Sequence, residues 1–143
     1  MPVLGFMKGH RVLHPNQFKV NEAWIAFKLN DEPIQTELDG DLNFLALMDA
    51  ASCFILSSAP VVAKVAEPTQ MESMRLLKEG KAHKMQLPKT LFIPNEQPAQ
   101  FLVAEAERVG IEVVRVEEYQ LLIFIGEARE AFRERFGGGS AVQ

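Results

Sequence analysis

Three short apolar runs, at residues 53–58, 90–94 and 112–116, are separated by segments long enough for one helix each. Parallel strands cannot be joined by a tight turn, and a helix is the usual crossover between them. This alternation therefore constrains the chain to an α/β fold with right-handed crossovers. The first run is apolar almost throughout until it reaches Ser57 and Ser58, the pattern of a strand covered on both faces. Between the runs, Thr69 and Glu72 form a capping box that opens a helix with Met71, Met74 and Leu77 on one face. Asn95 and Pro98 mark the start of another, with Leu102, Ala106 and Val109 inward and Gly110 as a left-handed stop. Residues 119–136 place Leu121, Ile125, Ala128, Phe132 and Phe136 at helical spacing and predict a closing helix.

The N-terminal half reads differently. Residues 23–29 alternate and predict a strand with Ile25, Phe27 and Leu29 on its apolar face. Residues 30–33 carry turn chemistry, and residues 34–38 alternate again, so the two segments predict an antiparallel β-hairpin. Asp41 is placed to cap a helix bearing Leu42, Leu45, Met48 and Ala51. The predicted order is ββαβαβαβα, an α/β fold whose mixed sheet has about five strands. Residues 1–21 read as an irregular arm or short strands, 22–136 as one α/β domain, and 137–143 as a flexible glycine-rich tail.

Composition narrows the class. A chain of 143 residues with 48% hydrophobic and 24% charged residues is of globular type. A net charge of −4 disfavours a DNA-coating role. The single cysteine, Cys53, excludes an intrachain disulfide and a multi-cysteine zinc module. The longest uncharged run, residues 50–63, falls short of a bilayer span, and the N-terminus lacks the pattern of an export signal. The expectation is a cytoplasmic protein with no membrane contact.

Candidate chemistry is sparse. Glu37, Asp39 and Asp41 place three carboxylates within one short stretch, the residue type that holds Mg²⁺ around a phosphate ester, although turns and helix caps also use them. Ligands of open α/β sheets bind beyond the carboxyl ends of parallel strands, which nominates Ser57, Ser58, Asn95, Glu96, Glu117 and Glu118. Neither serine stands in a nucleophile elbow. His10 and His14 have the spacing of two metal ligands on a helix, but Gly9 and Pro15 argue against a helix there; His83 stands apart. Cys53 reads as a small buried hydrophobe. No glycine-rich phosphate loop is present, so no cofactor and no metal site is expected.

One charge anomaly stands out. Arg75, Lys78, Lys81, Lys84 and Lys89 face the lone carboxylate of Glu79, a basic segment suited to phosphates or to a solvated helix face, with no aromatic residue for base stacking. The last helix combines mixed surface charge with Phe132 and Phe136 near its end, a pattern compatible with a dimer contact. The leading reading is a small non-catalytic domain that binds a macromolecular partner or forms a homodimer. The alternatives are a metal-dependent phosphate-ester hydrolase, nuclease-like, using Glu37, Asp39 and Asp41, and a nucleic-acid-binding module using Arg75, Lys78, Lys81 and Lys84.

Overall fold

Strand β1 (Ala23–Lys28) is buried on both faces because its alternate residues are all apolar up to Lys28: Trp24 and Ala26 point one way, Ala23, Ile25 and Phe27 the other. The computed structural model describes residues 12–30, 32–37 and 40–138, so the expectations for residues 1–11 and 139–143 lie outside the described residues. The further elements are β2 (Ile34–Gln35), β3 (Asp41–Asp49), β4 (Ile55–Val62), α1 (Gln70–Lys84), β5 (Thr90–Pro94), α2 (Gln100–Arg108), β6 (Glu112–Val116) and α3 (Leu122–Phe132). Short 3-10 turns at Pro15–Gln17 and Glu118–Leu121 precede β1 and α3, and a π-helical turn at Arg133–Gly138 follows α3.

Among the described residues the strands form one mixed sheet in the order β4-β3-β1-β5-β6, and β2 lies along β3 beyond the end of β1. Strands β4, β1, β5 and β6 are parallel, while β3 runs antiparallel to them. Helix α1 carries the chain from β4 past β3 and β1 to β5, whereas α2 joins the neighbours β5 and β6. Helices α1 and α2 cover one face, and α3 with Leu13 and Phe18 of the N-terminal segment covers the other. Phe18 packs on Phe92 and Phe124, with ring centroids 5.7 and 6.2 Å apart, so Leu13 and Phe18 tie the N-terminal segment to this core. The mixed α/β sheet is the class that the sequence pattern predicts. No helix of the described residues is long and apolar enough to cross a membrane.

Two local expectations are corrected. The segment expected as a helix with Leu42, Leu45, Met48 and Ala51 on one stripe is strand β3 as far as Asp49. Its two faces are both apolar, Leu45 and Leu47 on the α1–α2 side and Ala46 and Met48 on the α3 side. A strand buried on both faces loses its alternation, and the leucines then fall at helical spacing by coincidence. The turn also moves. Strands β1 and β2 do not pair with each other; both pair with β3. Gly40 (φ +75°) supplies the left-handed residue, and the Thr36 N–H donates to the Gly40 carbonyl.

Strands β1 and β2 thus run one after the other along the same side of β3 rather than forming a hairpin with each other. The buried Asn30 carboxamide bridges the gap. It accepts from the Phe44 N–H (2.8 Å) and donates to the Glu32 carbonyl (2.7 Å) and Asn43 Oδ1 (3.1 Å). Later boundaries shift by a few residues. β4 extends to Val62, which leaves Ser57 and Ser58 in mid-strand, and α1 runs through Gly80 to Lys84. The Thr69–Glu72 capping box forms as the sequence predicts, and Gly110 (φ +89°) terminates α2.

Gly80 continues the helix because Trp24 needs the space. A Cβ there would stand 2.9 Å from two atoms of the indole ring. The indole Nε1 donates to Asn21 Oδ1 (2.7 Å), so the ring cannot rotate away without losing that bond. Gly80→Ala would gain about 1 kcal/mol of helix propensity on a free surface. Here overpacking wins: a net loss of roughly 1–2 kcal/mol is expected, seen as a lower urea midpoint at unchanged slope. A Gly80→Ala variant as stable as the wild type would show that the contact is loose.

Candidate functional site

The order of strands reverses between β1 and β5. The chain leaves β1 towards β2 and β3 but leaves β5 towards α2 and β6, and the diverging connections open a crevice at the strand ends. A cleft of about 280 Å³ lies there, with Leu45, Val61, Pro68 and Pro98 among its apolar walls. Its polar lining comes from Lys28, Asn43, Glu67, Glu96, Gln97, Glu118 and Arg129.

The cleft floor is built around a missing hydrogen bond. The β1–β5 register pairs Ile25 with Phe92, so two residues further on Pro94 falls opposite Phe27. A backbone residue there would donate to the Ala26 carbonyl and accept from the Lys28 N–H, but proline has no N–H. The Gln97 carboxamide does both: its Nε2 donates to the Ala26 carbonyl (3.5 Å), and its Oε1 accepts from the Lys28 N–H (3.2 Å). The Lys28 carbonyl is taken by Arg129, whose Nε donates to it at 2.9 Å from α3. Arg129 also pairs with Glu118 at 2.6 Å and lies over the Phe27 ring, leaving its side chain 14% exposed. Arg115 braces the loop after β5 by donating to the carbonyls of Pro94 and Gln97, each at 2.7 Å. Helix α2 has no side-chain cap of its own at Ala99; instead Glu67 Oε1 accepts from the Phe101 N–H (3.1 Å).

A second concavity, of about 430 Å³, runs between α1 and α2 on the outer surface. Arg75, Lys78 and Lys81 line it together with Met71 and Met74. Met71 is 77% exposed, and Leu87 and Val109 add apolar surface. Arg108 and Glu105 also line this groove, where Arg108 is already neutralised. Its hydrogen bonds hold the nearly buried Glu105 carboxyl below the usual carboxylate range, so the pair stays ionised. The cations of the groove with no ion-pair partner among the described residues are therefore Arg75, Lys78 and Lys81.

The nominated residues are distributed as follows. Of the strand-end set, Glu96 and Glu118 line the cleft, while Asn95 and Glu117 bond to each other beside it (3.0 Å). Ser57 is buried and donates to the Leu76 carbonyl (2.9 Å); Ser58 is exposed on the other face of β4. Glu37 and Asp41 are exposed at the β2–β3 turn, and Asp39 lies outside the described residues. Among the described residues no group of three His, Cys, Asp or Glu is placed to hold a metal ion. Lys84 stands apart from the other cations, over the Phe54 ring, with His83 against the same ring. His14 caps the 3-10 turn at Pro15–Gln17, and His10 lies outside the described residues. Burial, and then the charges of Asp49 and Glu127, push the Cys53 thiol above its ordinary pKa, which disfavours a nucleophilic thiolate.

Sequence reasoning passed over Lys28, Gln97 and Arg129. The available signal was Pro94 at the end of a buried strand, which requires a substitute donor nearby. No protein-family model matches the chain, and no curated protein matches it.

The Gln97 bridge is directly testable. Gln97→Leu nearly keeps the side-chain volume but strands the Ala26 carbonyl and the Lys28 N–H, with an expected loss of roughly 1–3 kcal/mol in urea unfolding. In the same variant the Lys28 amide proton should exchange much faster. Unchanged exchange would mean that the backbone closes this end of the sheet without Gln97.

Proposed function

We propose that this chain is a non-catalytic binding domain that receives an acidic, amphipathic helix of a protein partner in the groove between α1 and α2. One observation carries the reading: the exposed Met71 and Met74 share a groove with the available cations Arg75, Lys78 and Lys81. Methionine is flexible and polarisable and moulds to helices of different sequence. The cations select carboxylates at the helix margin and raise the association rate. An apolar floor with no aromatic side chain suits a helix better than it suits nucleic acid, which gains affinity from base stacking.

The test uses a synthetic amphipathic helix with leucines on one face and glutamates flanking them, titrated against the protein by fluorescence anisotropy. Binding should weaken steeply with salt, and Lys78→Glu with Lys81→Glu should lower affinity by about tenfold or more. Mixed-sequence single-stranded RNA should bind far more weakly. RNA binding with the peptide left unbound would replace this reading with the nucleic-acid one.

A second reading, self-association, rests on α3 and the 3-10 turn before it. Tyr119 (66% exposed), Leu122 and Ile123 form an outward apolar patch, and the exposed Gly126 one turn on has open space where a Cβ would stand. The inner stripe of Leu121, Phe124 and Ile125 already serves the core, so packing within the chain does not account for the outer one. Two copies crossing at Gly126 would approach closely. Sedimentation of the wild type as a concentration-dependent dimer, abolished in Ile123→Glu, is expected; a wild-type monomer at high concentration removes this reading.

A further inference from the structure

We infer that the cleft at the carboxyl ends of β1 and β5 binds a small aliphatic α-amino acid as its zwitterion. This inference is independent of the α1–α2 groove. Its starting point is which charges in the cleft are already used. Arg129 is committed to Glu118 and the Lys28 carbonyl. Glu67 has one oxygen on the Phe101 N–H and so serves the start of α2. Two groups of opposite sign have neither an ion pair nor a side-chain hydrogen bond among the described residues. The Lys28 side chain belongs to a half-buried residue at the end of β1, and it makes no ion pair among the described residues. The Glu96 carboxylate, on the loop after β5, likewise accepts no hydrogen bond among the described residues.

An ammonium with no ion-pair partner at an apolar-walled cleft is a ready partner for an anion that enters. A carboxylate alone would satisfy Lys28 but would meet Glu96 as a like charge in the same cleft. A molecule carrying both a carboxylate and an ammonium meets both groups with the right sign. The small volume admits little more than such a head and a short side chain. The remaining wall is aliphatic, with Leu45, Val61, Pro68 and Pro98 facing the space, so the side chain that fits is apolar and of modest size. The site is also stiff, because Gln97 and Arg129 fix both sides of the Lys28 backbone. Little ordering is then required when a ligand enters.

The experiment titrates the full chain with methionine, leucine and valine, each followed by ¹⁵N chemical shifts and by thermal melting. Isopentylamine and 4-methylpentanoic acid, which keep the apolar body of leucine but lack one charge each, serve as controls. At least one amino acid should bind saturably, with shifts centred on Lys28, Asn43 and Gln97, and both controls should bind about tenfold or more weakly. Lys28→Met and Glu96→Gln should each weaken binding by a similar factor. Glu96 is exposed, so its variant keeps the fold even if Lys28→Met does not. Three results would overturn the inference: no amino acid perturbs these amides, either control alone binds as well as the amino acid, or affinity survives Glu96→Gln.

Discussion

The Trp24 indole packs on the one turn of α1 that has no side chain in its way, and much of the molecule is positioned by that contact. Its ring NH is held by Asn21, whose own N–H donates to the buried Asp49 carboxylate and whose carboxamide donates to the Gln86 carbonyl. Asp49 also accepts from the Ser52 N–H and hydroxyl, which closes the β3–β4 turn. One polar knot thus ties the start of β1, the turn after β3 and the chain leaving α1. Asn21 enters it in the left-handed conformation (φ +67°), which asparagine tolerates better than most residues. Burying Asp49 is sustainable only because its oxygens are filled by donors.

The other end of β1 is held by a different device. Its ladder fails on both sides, towards β3 where the chain breaks at residues 30–33, and towards β5 where Pro94 has no proton to give. In both places a carboxamide supplies one donor and one acceptor, the same pair a peptide unit offers. Asn30 does this on the β3 side and Gln97 on the β5 side. The backbone stops early, and the space it vacates is the cleft. The candidate site is therefore a by-product of how the sheet ends, and Gln97, Arg129 and Glu67 in its lining have structural tasks of their own.

These devices explain what was legible in the sequence. Elements with one clear period or a cap were readable: the Thr69–Glu72 box, Gly110, and the strands at Thr90–Pro94 and Glu112–Val116. β3 was not, because Leu45, Ala46, Leu47 and Met48 are all buried and their succession carries no phase. Asp41 suits a helix cap by its residue type, whereas the left-handed Gly40 just before it, between two alternating segments, is equally a hairpin signal. Of the site, Glu96 and Glu118 followed from the strand-end rule. Lys28, Gln97 and Arg129 did not, since their meeting depends on a strand order that no local pattern encodes. The basic segment was visible as charge, but its division was not: Arg75, Lys78 and Lys81 turn to the groove with the methionines, while Lys84 turns to Phe54.

The strand order also bears on how the chain is made. β1 lies between β3, which follows after only the short β2, and β5, which follows only after the whole of α1. During synthesis the antiparallel unit of β1 to β4 emerges first, with the β5 side of β1 an open, apolar edge. Such an edge is a template for pairing with another nascent chain until residues 90–94 arrive to occupy it. The interval is bridged by α1, whose capping box favours its first turn from local residues alone. A helix that nucleates early and already fits over Trp24 shields one face of the exposed strand before its edge is closed, and so shortens the time in which the half-made sheet is open to aggregation.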